Sequence, residues 1–577
     1  MKRGDVDHPS ATAAEEASSA KRQCTSGLSL AVVMEQSADH KTKKYDRQLR
    51  LWGDHGQAAL EKARVCLIGA TATGTEILKN LVLPGLGSFC IVDSETVKMG
   101  DLGSNFFVTA QDIGGFRAEA ATRLLLEMNS DVKGQYMTDT LESLVANRPS
   151  FFQHFTIVIA ADVPSEKLLL DLGRILWPVG IPLVACRAYG LVGWIRIVCR
   201  EHFVTESKPD NFIQDLRLDT PFPELVALKD SVDFGAMTKK AHSHVPFVII
   251  LLAFLEKWKT LRGSLPTTYQ DKVKFREFVD EGRLKNDDGI PLAEENFEEA
   301  CKAVVKTVGV SKVPDEIERL FRDPACDNLT IFSPKFWIVI RAIRDFTVGA
   351  EGAGHLPVSG ALPDMFSDTE SFVHLQNVYK AKADSDAAAV YAKVCQLNRD
   401  LGLSEDFISL SEVKYYSRNA AFLRCVRTTS LEEELGEGSS VAAGLTGFSV
   451  DDPDFRNSLW YVMLRAVSHF HNQTGVLPGL EHKTYEEDAV QLKVFAQKFM
   501  KAVGVVDGFR ELAGDEVVAR YAREVARFGG EQVHSVAAFV GGTVGQEVIK
   551  LITGQYVPLN NTLVYDATAC TTSTFQF

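Results

Sequence analysis

The sequence predicts an α/β fold: a mostly parallel sheet interrupted by a large, mostly helical inserted domain. Three observations point there. Apolar, β-branched strand segments alternate with helices between Lys44 and about Val198. From about residue 200 to 500 the apolar residues recur at helical spacing. The last 60 residues then return to an α/β pattern. Strands that are apolar on both faces are those of a parallel sheet covered by helices on each side.

Residues 1–40 are rich in Ala, Ser, Glu and Lys without a sustained period, and are expected to be a disordered tail. Two basic pairs, Lys2-Arg3 and Lys21-Arg22, form a weak nuclear signal set against the plainer reading of a solvated tail. In the first sheet region, 41–200, a short helix YDRQLRLWG leads to the strand ARVCLIGA, then a helix and the strand SFCIVD. The helix FRAEAATRLLLEMN precedes the strands FTIVIAA and IPLVACR. This order is Rossmann-like. In the insertion, 201–500, SPKFWIVIRAIRDF reads as a helix with Ser333 at the N-cap and Pro334 in the first turn. Phe336, Val339, Ile340, Ile343 and Phe346 then share one face. ENFEEACKAVVKTV, DAAAVYAKVCQLN and SLWYVMLRAVSHF read as further helices, with Gly-rich loops at 349–365 and 436–447. The return segment, 501–577, holds HSVAAFVGGTVGQEVIKLITG and the strand TLVYDA.

Composition narrows the function. A net charge of −14 argues against broad nucleic-acid binding, which needs a basic face. The run VPFVIILLAFL is too short to span a bilayer and reads as a buried helix, so no membrane partner is expected. The first 30 residues lack the apolar core of a secretory signal. Ten cysteines without paired spacing and without CxxC fit free thiols in a reducing compartment, cytoplasmic or nuclear.

The chemistry-bearing motif is CLIGATATGTEIL, residues 66–78. A dinucleotide loop uses one glycine for the tight turn, a second for close approach of backbone to phosphate, and a third for helix-on-strand packing. Gly69 and Gly74 remain, but Thr71 stands at the close-approach position. A β-branched side chain there intrudes on a phosphate and disfavours positive φ. Asp93, 24 residues after Gly69, falls where a ribose-binding carboxylate sits. The ribose end is thus plausible and the phosphate end damaged. Read by themselves, these residues favour a Rossmann-type fold that holds no nucleotide.

YDRQLRLWG, GATATGTEILKNLVLPGLGSF, IVDSETV, NFF, RAEAA, IPLVACRAYGLVG, LPVSGALPDM, LQNVYKAKADSDAAAV and FVGGTVGQEVIKLITGQY resemble the ubiquitin-like modifier activating enzymes over about residues 43–577. The resemblance implies a ThiF/MoeB-type adenylation fold. It also exposes departures from active members: Thr71 and Ala72 replace inner glycines, Ser104 replaces a triphosphate-binding arginine, and Arg117 and Lys167 replace a lysine and an arginine. Asp162 keeps the place of a metal-holding aspartate. Losing several charge-stabilising groups together is expected to abolish adenylation on this chain.

The resemblance therefore implies a regulatory, catalytically incomplete subunit in an obligate heterodimer with a catalytic subunit. ATP and magnesium are expected in that partner and no cofactor or metal on this chain. The implied substrate is a Nedd-type ubiquitin-like modifier, adenylated at its C-terminus, carried as a thioester on the partner's cysteine, and passed to a conjugating enzyme. Arg47, the first arginine of YDRQLR, is by resemblance the residue donated in trans to the partner's ATP site, like an arginine finger. The plainer alternative is a surface arginine paired with Asp46 or Asp54, and Arg50 is a nearby competitor. The active members' cysteine context is absent. Cys301, Cys395 and Cys425 sit in helical patterns, and Cys326, the loop candidate, has acidic neighbours that disfavour a thiolate. His242 and His244 have no evident third ligand and are not expected to hold a metal. Gly541, Gly542 and Gly545 are read as permitting close helix contact.

Overall fold

A computed structural model describes residues 42–435, 441–445, 448–449, 452–480 and 485–577. The 1–40 tail, and part of the 436–447 loop, lie outside them. The described residues divide into two compact units: those up to 200 with those in 427–553 and 558–577, and residues 201–426 with 554–557.

The first unit begins with helix α1, Asp46–Lys62, broken at Gly53, whose φ of 63° is not helical. Strand β1 (Arg64–Ile68), helix α2 (Ala72–Val82), β2 (Ser88–Val92), α3 (Arg117–Met128), β3 (Lys133–Met137), α4 (Leu141–Asn147), β4 (Ile157–Ala161), α5 (Glu166–Leu176), β5 (Leu183–Tyr189) and β6 (Val192–Val198) follow. β1, β2, β4 and β5 are apolar and almost wholly buried, as both-face coverage requires. β3, with the sequence KGQYM, carries almost no apolar signal because it is the half-exposed edge strand.

The second unit opens on β7 (His202–Val204) and continues through helices α6 (Phe247–Arg262), α7 (Tyr269–Asp280), α8 (Glu295–Thr307), α9 (Lys335–Val348) and α10 (Thr369–Asp400). Strand β8 (Arg424–Val426) closes it by pairing antiparallel with β7. From Phe247 on, the run at 245–255 is the buried first part of α6, with Pro246 at its N-cap. In α9, Phe336, Val339, Ile340, Ile343 and Phe346 are all buried. Its N-cap is Pro334, not Ser333; the Ser333 hydroxyl instead accepts from the Thr330 N–H, tying down the turn before the helix.

The chain then returns to the first unit with α11 (Pro453–Thr474), α12 (Tyr485–Ala502), α13 (Val506–Phe528), α14 (His534–Thr553), β9 (Thr562–Asp566) and β10 (Thr571–Phe575). The insertion is therefore shorter than the expected 201–500. α11 packs on β9 and β10, and its apolar residues share a core with Tyr189, Val192 and Val564 of the sheet. Helical periodicity alone does not say which core a helix joins. The eight-stranded sheet has the order β10-β9-β6-β5-β4-β1-β2-β3. β3, β2, β1, β4 and β5 run parallel, and β6, β9 and β10 are added antiparallel.

α14 is the one described helix long and apolar enough to cross a membrane; here it lies buried against α2. A Cβ on Gly541 would stand 2.6 Å from Glu76 Cβ, and one on Gly545 2.8 Å from Asn80 Cβ. Those two glycines allow the close approach. Gly542 faces open space and has no part in it.

Candidate functional site

The loop between β1 and α2 lies at the end of the parallel strands, where nucleotide folds place their phosphate site. Gly69 has φ of 91°, and a Cβ there would stand 2.5 Å from the Ala161 carbonyl oxygen. A Cβ on Gly74 would stand 2.1 Å from the Gly69 carbonyl oxygen. Both positions admit only glycine.

Thr71 has φ of −70° and ψ of 173°, so the expected conflict with positive φ does not arise. It is the N-cap of α2. Its Oγ1 accepts from the Gly74 N–H at 3.1 Å and donates to Asp162 Oδ2 at 2.6 Å. One hydroxyl thus takes a helix N-terminal donor, of the kind that binds phosphate, and also engages the Asp162 carboxyl. Asp162 also accepts from the Ala188 N–H at 2.8 Å. Burial pushes its carboxyl above the usual carboxylate range, against the pull of Thr71, Ala188, Gln532 and Arg187.

The ribose end is engaged as well. Asp93 is buried and accepts from the N–H of Ala70 at 2.7 Å, the N–H of Glu95 at 2.8 Å and Arg117 Nε at 2.9 Å. Arg117 stays charged: burial opposes its charge, but Asp93, Asp101 and Glu95 together raise its pKa. Asn105, buried, donates to the Ala70 carbonyl and accepts from Thr75 Oγ1 at 3.0 Å. The Ser104 carbonyl accepts from His534 Nδ1 at 2.7 Å. Lys167 is exposed on α5. The Ala70 and Gly74 N–H groups are taken by Asp93 and Thr71, and the Asp93 and Asp162 carboxylates are engaged by Arg117, Thr71 and the Ala188 N–H, so the groups that would meet a nucleotide and its metal are paired within the chain. Among the described residues no group of three or more His, Cys, Asp or Glu is placed to hold a metal ion.

Arg47 lies in the first turn of α1 and is exposed. Asp46 pairs with Arg50 at 3.0 Å, not with Arg47. Arg47 has no ion pair among the described residues, and its guanidinium is open to a partner. Cys326 lies in a short helix, Pro324–Asp327, not in a loop. It is buried, and burial raises its thiol to about 11, so it is no nucleophile at neutral pH. Burial likewise raises Cys301 to about 11. His242 Nδ1 lies 2.7 Å from Glu294 Oε1, and its ring stacks on Phe297 at 5.1 Å, so its role is packing within the second unit. His244 Nδ1 bonds the Lys240 carbonyl at 2.7 Å.

Asn105, and Asn129 and Asp131, which bond the Tyr45 hydroxyl, carried no sequence signal for the parts they play. Their side-chain partners lie 30 to 87 residues away, and only folding brings them together.

Residues 45–577 match the family model described as the ThiF family. The chain belongs to the ThiF family. Among its relatives, a Gallus gallus protein named NEDD8-activating enzyme E1 regulatory subunit is 47% identical over 540 residues, covering 93% of this chain and 99% of that one. The Drosophila melanogaster protein of the same name is 39% identical, covering 91% and 96%. Arabidopsis thaliana AXR1, also so named, is 35% identical, covering 91% and 94%. Among solved structures, a crystal structure of PaaA is 19% identical at a TM-score of 0.24, covering 28% of this chain and 51% of that one.

Proposed function

We propose that this chain is the regulatory subunit of a heterodimeric activating enzyme for a NEDD8-type modifier. The relatives so named match it over nearly its whole length. The observation that carries the reading is the Thr71 hydroxyl, which takes the Gly74 N–H and the Asp162 carboxylate for itself. A chain built this way supports adenylation without performing it.

In this reading a catalytic partner binds ATP and magnesium and adenylates the modifier's C-terminal carboxylate. The partner's cysteine then takes the acyl group as a thioester, and a conjugating enzyme receives it. Arg47 reaches the partner's ATP site and offsets charge developing at the α-phosphate. Its exposure, and its freedom from ion pairs among the described residues, support that role. The complex works in the cytoplasm, the nucleus or both.

The test is modifier-dependent ATP–pyrophosphate exchange with this chain alone, the partner alone, and both. Exchange only with both is expected. Exchange by this chain alone overturns the reading. Arg47→Ala is expected to keep pairing and lose exchange; a passive scaffold would lose little.

A further inference from the structure

The segment that carries Arg47 is not self-supporting. Gly53 breaks α1 seven residues after its start, so residues 46–52 form barely two helical turns. A helix that short does not hold itself in water. No side chain caps its N-terminus either. Attachments at both ends hold it. At the far end Trp52 Nε1 donates to Gln57 Oε1 at 3.0 Å, across the break. At the near end stands Tyr45, two residues before Arg47 and 2% exposed.

Tyr45 is held from three sides. Its ring lies against Gly85, where an added Cβ would stand 2.8 Å from the ring carbon bearing the hydroxyl. Its hydroxyl donates to Asp131 Oδ2 at 2.8 Å and accepts from Asn129 Nδ2 at 3.0 Å. Asn129 is itself fixed, since Nδ2 also donates to the Val82 carbonyl at 2.8 Å. Lys44 Nζ closes the cluster on Asn129 Oδ1 at 2.5 Å and Asp131 Oδ2 at 2.9 Å. A buried tyrosine bonded just past the end of α3, and through Asn129 to the end of α2, ties the start of the short helix to the body of the first unit.

We propose that Tyr45, with Asn129 and Asp131, is a positioning device that holds the first turn of α1 so that Arg47 meets the partner's ATP site in one orientation. This rests on the reading of Arg47 given above. The hydroxyl's bonds fix the orientation, while the ring's packing keeps the helix attached. A trans-acting guanidinium contributes only when placed, so a loosened first turn lowers turnover without weakening substrate binding.

The experiment is a double-mutant cycle of Tyr45→Phe and Arg47→Ala in the reassembled heterodimer, read as kcat and KM for ATP–pyrophosphate exchange. Phenylalanine keeps the ring and removes the hydroxyl. Tyr45→Phe is expected to lower kcat on the order of tenfold, as for loss of a bond to a charged acceptor. KM for the modifier and the pairing affinity should hold. The double variant should match Arg47→Ala, because an unplaced and an absent arginine are equivalent. Effects that multiply, or a Tyr45→Phe enzyme with wild-type kcat, would overturn the positioning role while leaving Arg47 in place. An Arg47→Ala enzyme with full activity would instead remove the reading on which the proposal rests.

Discussion

Thr71→Ala tests whether the closed loop is held as described. The substitution removes one oxygen and with it two bonds: the cap on the Gly74 N–H at 3.1 Å and the donation to Asp162 at 2.6 Å. Loss of an N-cap costs about 1 kcal/mol. Leaving a desolvated carboxylate without one of its donors costs roughly 1–3 kcal/mol. The two share an atom and do not add in full, so about 2–3 kcal/mol is expected. Thr71→Ser keeps the oxygen and both bonds and is expected to lie within about 0.5 kcal/mol of the parent. The assay is urea unfolding of the isolated chain, with hydrogen exchange at Gly74 and the first turn of α2 as the local readout, since a chain of two units need not unfold in one step. Faster exchange in Thr71→Ala but not Thr71→Ser is the expected pattern. Equal loss in both, or none in either, would show that the hydroxyl does not hold the loop.

Two further outcomes follow from the same geometry. Gly541→Ala drives a methyl to 2.6 Å from Glu76 Cβ and 3.1 Å from the Glu76 carbonyl carbon, which is backbone and yields little. The overpacking costs about 1–3 kcal/mol and outweighs the roughly 1 kcal/mol gained from helix propensity. Gly542→Ala meets nothing and keeps only that gain, so denaturant midpoints should move in opposite directions; a shared direction refutes the packing account. Asp162 binds its proton more tightly folded than unfolded, because burial raises its pKa. Its contribution is therefore most favourable below the ordinary carboxylate range and is lost as pH rises through the raised value. The stability difference between the parent and Asp162→Asn, followed by urea unfolding from about pH 4 to pH 7, should shift against the parent as pH rises; a flat difference refutes it.

Much of the fold was legible because burial leaves a local mark. β1, β2, β4 and β5 announce themselves as apolar β-branched runs, and α6 and α9 by their apolar faces. β3 left no such mark, because an edge strand half in water needs no apolar residues. The extent of the insertion was not legible either. α11 reads as one more amphipathic helix, and nothing local says that its apolar residues pack on β9 and β10.

The sequence by itself determined the class of fold, the place of the phosphate loop and its fault at Thr71, because each depends on residue type at fixed local spacing. Only the tertiary structure decided what that fault does. Thr71 is not a clash but the N-cap of α2, and its hydroxyl also engages Asp162, 91 residues on, at 2.6 Å. The same holds for Arg47: sequence supplied Asp46, Asp54 and Arg50 as neighbours, and the fold pairs Asp46 with Arg50 while Arg47 stays unpaired among the described residues. Hydrogen bonds between residues distant along the chain depend on positions that only the packed sheet and helices supply, and no local pattern encodes them.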